Sequence, residues 1–175
     1  MQIKLNCDNR GILQGEVRKL TEGKFLLKSK EVTIPCRVDC RIDGIKEGDF
    51  VQVNYRLRYS NDNETHKLIL EKVRHCKVTD TPVNQIAIEG YAIEPINSRE
   101  GYLSYMFRNN TLTSSGEVYR CLIEVESYGA VAKRLTTFIK PESLYMVVGE
   151  LVSKGKKITI NAEYAKDSKA ITRDI

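Results

Sequence analysis

Four residues in the first half of the chain have the types and spacing to hold a polyanion. Arg56 and Arg58 stand two apart in DFVQVNYRLRYS (49–60), Tyr59 follows, and His66 lies across what reads as a hairpin. Guanidinium groups contact phosphates and flat rings stack on bases, the two contacts that sequence-independent binding of a single nucleic-acid strand requires. In the second half Tyr91 falls on an outward position of its strand, and Arg108 and Arg120 lie on neighbouring strands. Lys154, Lys156 and Lys157 decorate a turn. By residue type alone, the same set also fits the solvated face of a mildly basic protein. Lys plus Arg number 28 against 23 Asp plus Glu, a net charge of +5. Lys133 and Arg134 read as the solvent face of a helix.

Other chemistries fail on spacing. The run from Gly149 to Lys156 is a near miss for a phosphate loop, with five residues between its glycines instead of four. It also has Lys157 where Ser or Thr must hold magnesium. His66 and His75 have no metal-ligand spacing to each other or to a pair of cysteines. No Ser or Cys sits in a nucleophile elbow. The five cysteines are an odd number without a leader sequence, so they do not read as a disulfide framework. Cys36 and Cys40 alternate with Val32, Ile34 and Val38, which places both on the apolar face of a strand. The two Asn-x-Thr triplets, at Asn63 and Asn109, count only in a secreted protein. The expectation is a non-enzyme, with no metal and no cofactor.

The elements that must position these residues are almost all strands. Alternation of period two recurs along the chain, and helical spacing is nearly missing. GILQGEVRKL (11–20) and KFLLKS (24–29) flank a turn at Thr21–Gly23. The 31–40 strand follows, and then 49–60 and KLILEKV (67–73) form a hairpin around NDNETH (61–66). After the polar, Pro-containing stretch 79–84 the order restarts with QIAIEGYAIEP (85–95), GYLSYMFRN (101–109) and VYRCLIEVE (118–126). A helix is expected over 127–140, with Val131, Leu135 and Phe138 on its apolar stripe. LYMVVGELV (144–152) and KKITINAEY (156–164) close the set. Five strands twice over, with one short helix in the second set, is the inventory of two tandem OB-fold barrels in an all-β chain. The expected limits are 1–78 and 83–165, with 79–82 as a linker and 166–175 as a frayed polar tail. No apolar run is long enough to span a membrane, and MQIKLNCDNRG has no apolar core with a cleavage site. The chain is therefore read as cytoplasmic.

The second half carries a more specific pattern. NQIAIEGYAIEP resembles the first strand of bacterial single-stranded DNA-binding proteins, and GEVYRCLIEVESYGAVAKRL resembles their third strand running into its helix. LYMVVGELV, with Gly149 and Leu151, and KKITINAEYA resemble the last two strands, so the likeness covers 84–165. GDFVQVNYRLR in the first half is similar to the same family's Gly-containing strand, with Tyr55 at the Gly position. The resemblance is to a tandem or primosomal-type relative, and the chain ends in ITRDI where replicative members carry an acidic tail. It implies sequence-independent binding of single-stranded DNA, with DNA and RNA not distinguished, during replication, repair or DNA transfer. It also implies a homo-oligomer, most simply a dimer supplying four barrels, with Leu144, Met146 and Val148 as the contact surface. Replication or repair proteins are the implied further partners, and the alternative role is an interaction module of a replication or primosome complex. The family's aromatic stacking positions correspond to Val118 and Glu124 here. On that strand Tyr119, Cys121, Ile123 and Val125 alternate inward, and the first barrel is expected to contribute at least as much to binding as the second.

Overall fold

The computed structural model describes residues 7–38, 42–60, 65–112 and 116–168. Ten strands and one helix follow in chain order: β1 (Asn9–Thr21), β2 (Lys24–Lys28), β3 (Thr33–Val38), β4 (Phe50–Ser60), β5 (Thr65–His75), β6 (Asn84–Arg99), β7 (Tyr102–Leu112), β8 (Val118–Tyr128), α1 (Gly129–Phe138), β9 (Leu144–Lys154) and β10 (Lys157–Asp167). They form two compact units. Arg10–Ile86 with Leu151–Ile158 make the N-terminal barrel. Ala87–Glu150, with the described parts of Met1–Asn9 and Thr159–Ile175, make the C-terminal barrel. This division differs from the linear one at 79–82, because strands β6, β9 and β10 are long enough to serve one unit at one end and the other unit at the other.

Within the N-terminal barrel the strands pair in the order β1-β2-β3-β5-β4 and return to β1. Within the C-terminal barrel the order is β6-β7-β8-β10-β9 and back to β6. One pair in each circuit is parallel, β3 with β5 and β8 with β10. This is the Greek-key closure of an OB barrel, made twice. The alternation read from the sequence is the alternation of burial. Val51, Val53, Tyr55 and Leu57 of β4 point into one core with Leu13, Leu27, Ile34, Leu68 and Leu70; Leu103, Tyr105, Phe107, Ile123, Val125 and Ile160 fill the other. Cys36 and Cys121 are core residues, and desolvation raises both thiols, Cys121 to about 12. Cys40 lies outside the described residues.

Several boundaries move. β6 runs past Pro95 to Arg99, with a register shift against β7 between Ile93 and Asn97 that absorbs a residue unable to donate to the ladder. Thr65 and His66 belong to β5, facing Ser60 and Tyr59, so the expected 61–66 loop reduces to residues outside the description. The stripe of α1 is Ala132 and Leu135, continued by Ile139 beyond its end, shifted one position from the expected set but sharing Leu135. Part of the expected tail is ordered too: β10 runs to Asp167, and the Ser168 N–H donates to the Leu144 carbonyl at 3.1 Å.

Two glycines mark where backbones come close. A Cβ on Gly149 of β9 would stand 2.1 Å from the Asn161 carbonyl oxygen and 2.9 Å from Ala162 Cα, both of β10. The N-terminal barrel has Tyr55 at the matching place. Its partner across the ladder is Gly11, whose missing Cβ leaves room for the Tyr55 ring, since a Cβ there would meet that ring at 2.2 Å. The ring is fully buried, and its hydroxyl donates to the Gln85 carbonyl at 3.4 Å. Replacing Gly149 by Ala forces backbone against backbone, an overpacking that costs about 1–3 kcal/mol. Denaturant titration of Gly149→Ala should show the free energy of unfolding falling by that amount, read as a lower midpoint with an unchanged slope.

Candidate functional site

The β4–β5 ladder of the N-terminal barrel sets Arg58 opposite Lys67, Arg56 opposite Ile69 and Tyr59 opposite His66. Arg56 and Arg58 lie on the outer face, as the alternation of β4 requires. Glu71 is the extra residue where the register slips between Asn54 and Tyr55, and its carboxylate accepts from Arg56 Nε at 2.5 Å. Tyr59 and His66 lie on the opposite, core-facing side at the barrel's end. Their ring centroids are 5.0 Å apart, with His66 buried and Tyr59 half-buried. The four residues are thus brought together, but the two cations and the two rings occupy different faces.

The outer face continues onto strands where sequence reasoning placed no site. Lys19, Lys24, Arg37 and Lys67 line a shallow cleft of about 400 Å³ floored by Phe25, Leu26 and Pro35. Lys24 is directly opposite Arg37, and Leu26 is opposite Pro35. β3 then runs parallel to β5 with Arg37 level with Ile69, two residues beyond Lys67. Lys19 has a positive φ of 51° where β1 loses register between Arg18 and Thr21, and such an irregularity re-aims a side chain. Two like-charge pairs therefore face each other across neighbouring strands, Lys24 with Arg37 and Lys67 with Arg58. Like charges directly opposite destabilise a sheet. The sequence did hold a signal, since Lys24, Leu26 and Lys28 alternate with buried Phe25 and Leu27. Only the barrel order shows that they share a face with Arg37 and Lys67.

Lys154, Lys156 and Lys157 are exposed around Gly155, which turns the β9–β10 hairpin with φ 64°. This tip belongs to the N-terminal unit. The Ser153 N–H donates to the Glu31 carbonyl at 2.9 Å, and Thr33 N–H donates to Ser153 Oγ at 3.1 Å. The Asn84 side chain grips Leu151 as another strand would. Its Nδ2 donates to the Leu151 carbonyl at 2.8 Å, and its Oδ1 accepts from the Leu151 N–H at 3.0 Å.

In the C-terminal barrel the ladders set Tyr91 opposite Arg108 and place Arg120 diagonal to Arg108 on the same outer face, but the ring is covered and Arg108 is engaged within the chain. Tyr91 is 3% exposed, with the Arg108 guanidinium 5.7 Å from its ring centroid. Alternation gave its side of the strand correctly but not what covers it. Arg108 is paired with Glu142 at 3.3 Å. Arg120 is exposed, but Val118 and Leu122 flank it and are exposed as well. Further along the same face stand Glu124 and Glu126, the latter accepting from the Tyr102 and Tyr128 hydroxyls at 3.3 and 3.0 Å. Tyr119, expected inside, is 41% exposed because it lies at the end of β8, beyond the core that begins at Cys121. Of the expected contact surface on β9, Leu144 and Met146 are half-buried and Val148 is already buried within the chain. Lys133 and Arg134 are exposed on α1, and Arg134 donates to the Glu163 carbonyl at 3.0 Å. Among the described residues no three His, Cys, Asp or Glu side chains come together as metal ligands, and no helix is long and apolar enough to cross a membrane.

Comparison with solved structures places this architecture. A deletion mutant of the single-stranded DNA-binding protein from Thermus aquaticus superposes with a TM-score of 0.67 at 15% identity, over 97% of each chain. The wild-type protein from the same organism gives a TM-score of 0.67 at 13% identity, again over 97% of each. The likeness is one of fold. It spans both barrels. No protein-family model and no curated protein sequence matches this chain.

The burial of Tyr91 separates structural from binding roles in this barrel. Truncating a buried aromatic costs about 3–5 kcal/mol. Tyr91→Ala should therefore lower the midpoint of thermal unfolding sharply, while the salt dependence of polyanion binding by the folded variant stays that of the parent.

Proposed function

We propose that this chain is a sequence-independent single-stranded DNA-binding protein, acting in the cytoplasm during replication, repair or DNA transfer, and that the outer β2-β3-β5-β4 face of its N-terminal barrel is the binding surface. The observation that carries this reading is the double like-charge juxtaposition, Lys24 opposite Arg37 and Lys67 opposite Arg58. Cations gathered on one face raise the local potential, and a phosphate backbone laid along that face meets it favourably. The fold of the Thermus aquaticus proteins supports the same reading.

Phosphate contacts position a strand without reading it, which accounts for sequence independence. Leu26 and Pro35 offer an apolar floor between the cations, and the half-buried Tyr59 ring offers a stacking surface at the barrel's end. The work is binding, with no catalytic step. A dimer is the assembly favoured by the resemblance, with Leu144 and Met146 as the part of β9 still open to contact. One observation favours a second role for the C-terminal barrel: exposed Leu112, Val118 and Leu122 beside Glu124 suit a protein contact better than a phosphate backbone.

Fluorescence anisotropy with labelled oligo-dT, duplex and RNA across a salt series tests this. The parent should bind oligo-dT in preference to duplex. Combining Lys24→Ala, Arg37→Ala and Lys67→Ala removes three phosphate contacts, and the log–log salt slope should become shallower by about 2, at roughly 0.7 per contact. All three side chains lie on the outer face, so the far-ultraviolet spectrum should be retained. A folded triple variant with the parent's affinity and slope overturns this placement of the site.

A further inference from the structure

We infer that the lysine hairpin of the second half of the sequence is part of the N-terminal barrel's binding surface, extending its track beyond the edge of that barrel's own strands. The inference rests on the single-strand reading above and specifies how far the bound strand runs. Lys24 and Arg37 face each other at one end of the β2–β3 ladder, and Lys28 and Thr33 at the other. Four residues of strand separate the two ends, about 13 Å at roughly 3.3 Å per residue. At the Lys28–Thr33 end the hairpin is fastened by Thr33 N–H to Ser153 Oγ and by Ser153 N–H to the Glu31 carbonyl. Asn84 also secures Leu151, with its two amide hydrogen bonds. The tip is thus fixed by backbone-directed bonds that fall just short of its lysines.

Lys154, Lys156 and Lys157 begin one residue beyond Ser153, and all three are exposed. A strand leaving the cleft past Lys28 therefore meets three further cations on a hairpin whose position is set by the same barrel. The exposed Glu31 carboxylate stands at the junction, and its charge is outweighed by Lys28, Lys30 and the three hairpin lysines. Held this way, the hairpin works as a length sensor: it engages strands long enough to fill the cleft and emerge from it.

The experiment compares the parent with a variant carrying Lys154→Ala, Lys156→Ala and Lys157→Ala, using oligo-dT of about 4 to about 16 nucleotides, the range of site sizes for one OB barrel. For the longest oligonucleotide the variant's salt slope should become shallower by about 2, from three contacts at roughly 0.7 each. For the shortest, affinity and slope should match the parent. The triple Lys→Arg replacement should restore the long-oligonucleotide slope, which a merely structural role of the lysine stems would not do. Equal losses at every length overturn the inference, as does an unchanged slope at the longest length. A parent that binds no oligo-dT overturns the single-strand reading and this inference together, whereas a binding parent with an indifferent hairpin variant overturns this inference alone.

Discussion

Parallel pairing of β3 with β5 is the constraint on which the candidate site depends. A parallel neighbour cannot be reached by a tight turn, so the chain must leave β3, build β4, and return. That detour sets Arg37 beside the Lys67–Ile69 stretch, thirty residues later, while the β2–β3 ladder sets Lys24 against Arg37. The cations come from β1, β2, β3 and β5, and no local stretch of sequence holds more than two of them. The same pairing between β8 and β10 lays Glu124 beside Thr159 and Glu126 beside Asn161 in the other barrel. One topological rule therefore assembles a basic face in one place and an acidic, apolar one in the other.

Barrel closure imposes its own demand, and the two halves meet it differently. The C-terminal barrel lets backbones touch at Gly149, with nothing but hydrogen between β9 and the Asn161 carbonyl. The N-terminal barrel puts the glycine on the other strand and fills the space with the Tyr55 ring, an aromatic laid over Gly11. The exchange explains why a sequence pattern with Tyr at a glycine position still closes the same barrel. Desolvation holds the buried Tyr55 hydroxyl in its neutral form, with its pKa raised well above the usual phenol range. The ring acts as core and is not available as a stacking surface.

Most strands could be read from alternation because one side of each is buried in a barrel interior, and period two is the direct imprint of that burial. Tyr91 and Tyr119 show where the rule stops. Alternation gives the side of the sheet and says nothing about what lies on that side. The outer side of β6 at Tyr91 is capped by Arg108, which β7 supplies, and Glu142 of the β9 approach holds that cap in place. Tyr119 fails for the opposite reason: it is in phase with the core but stands beyond its end. Arg56 and Arg58 were recoverable because both fall within one strand. Lys19, Lys24, Arg37 and Lys67 were not, because their shared face exists only after β2, β3 and β5 pair. The hairpin lysines could be read as a cluster, yet the unit they serve could not, since the Ser153 and Asn84 bonds that decide it join residues 67 and more apart.

Two barrels of one topology need not do one job, because binding lies in side chains grafted on a fold and not in the fold. The positions can be compared strand for strand. Where β2 and β3 present Lys24, Lys28 and Arg37, β7 and β8 present Met106, Leu122 and Glu124; of the two arginines on that face, Arg108 is paired with Glu142 and Arg120 stands between exposed Val118 and Leu122. Where β5 offers Lys67, β10 offers Thr159 and Asn161 beside the two glutamates. A phosphate laid on the second face would meet carboxylates at close range, and at about 4 Å even an effective dielectric of 20 makes that repulsion worth several kcal/mol. The net charge of +5 therefore says little about which face would favour a polyanion. What distinguishes the two faces is the local arrangement of charge, cation opposite cation in two places on the N-terminal barrel and carboxylates among apolar residues on the other.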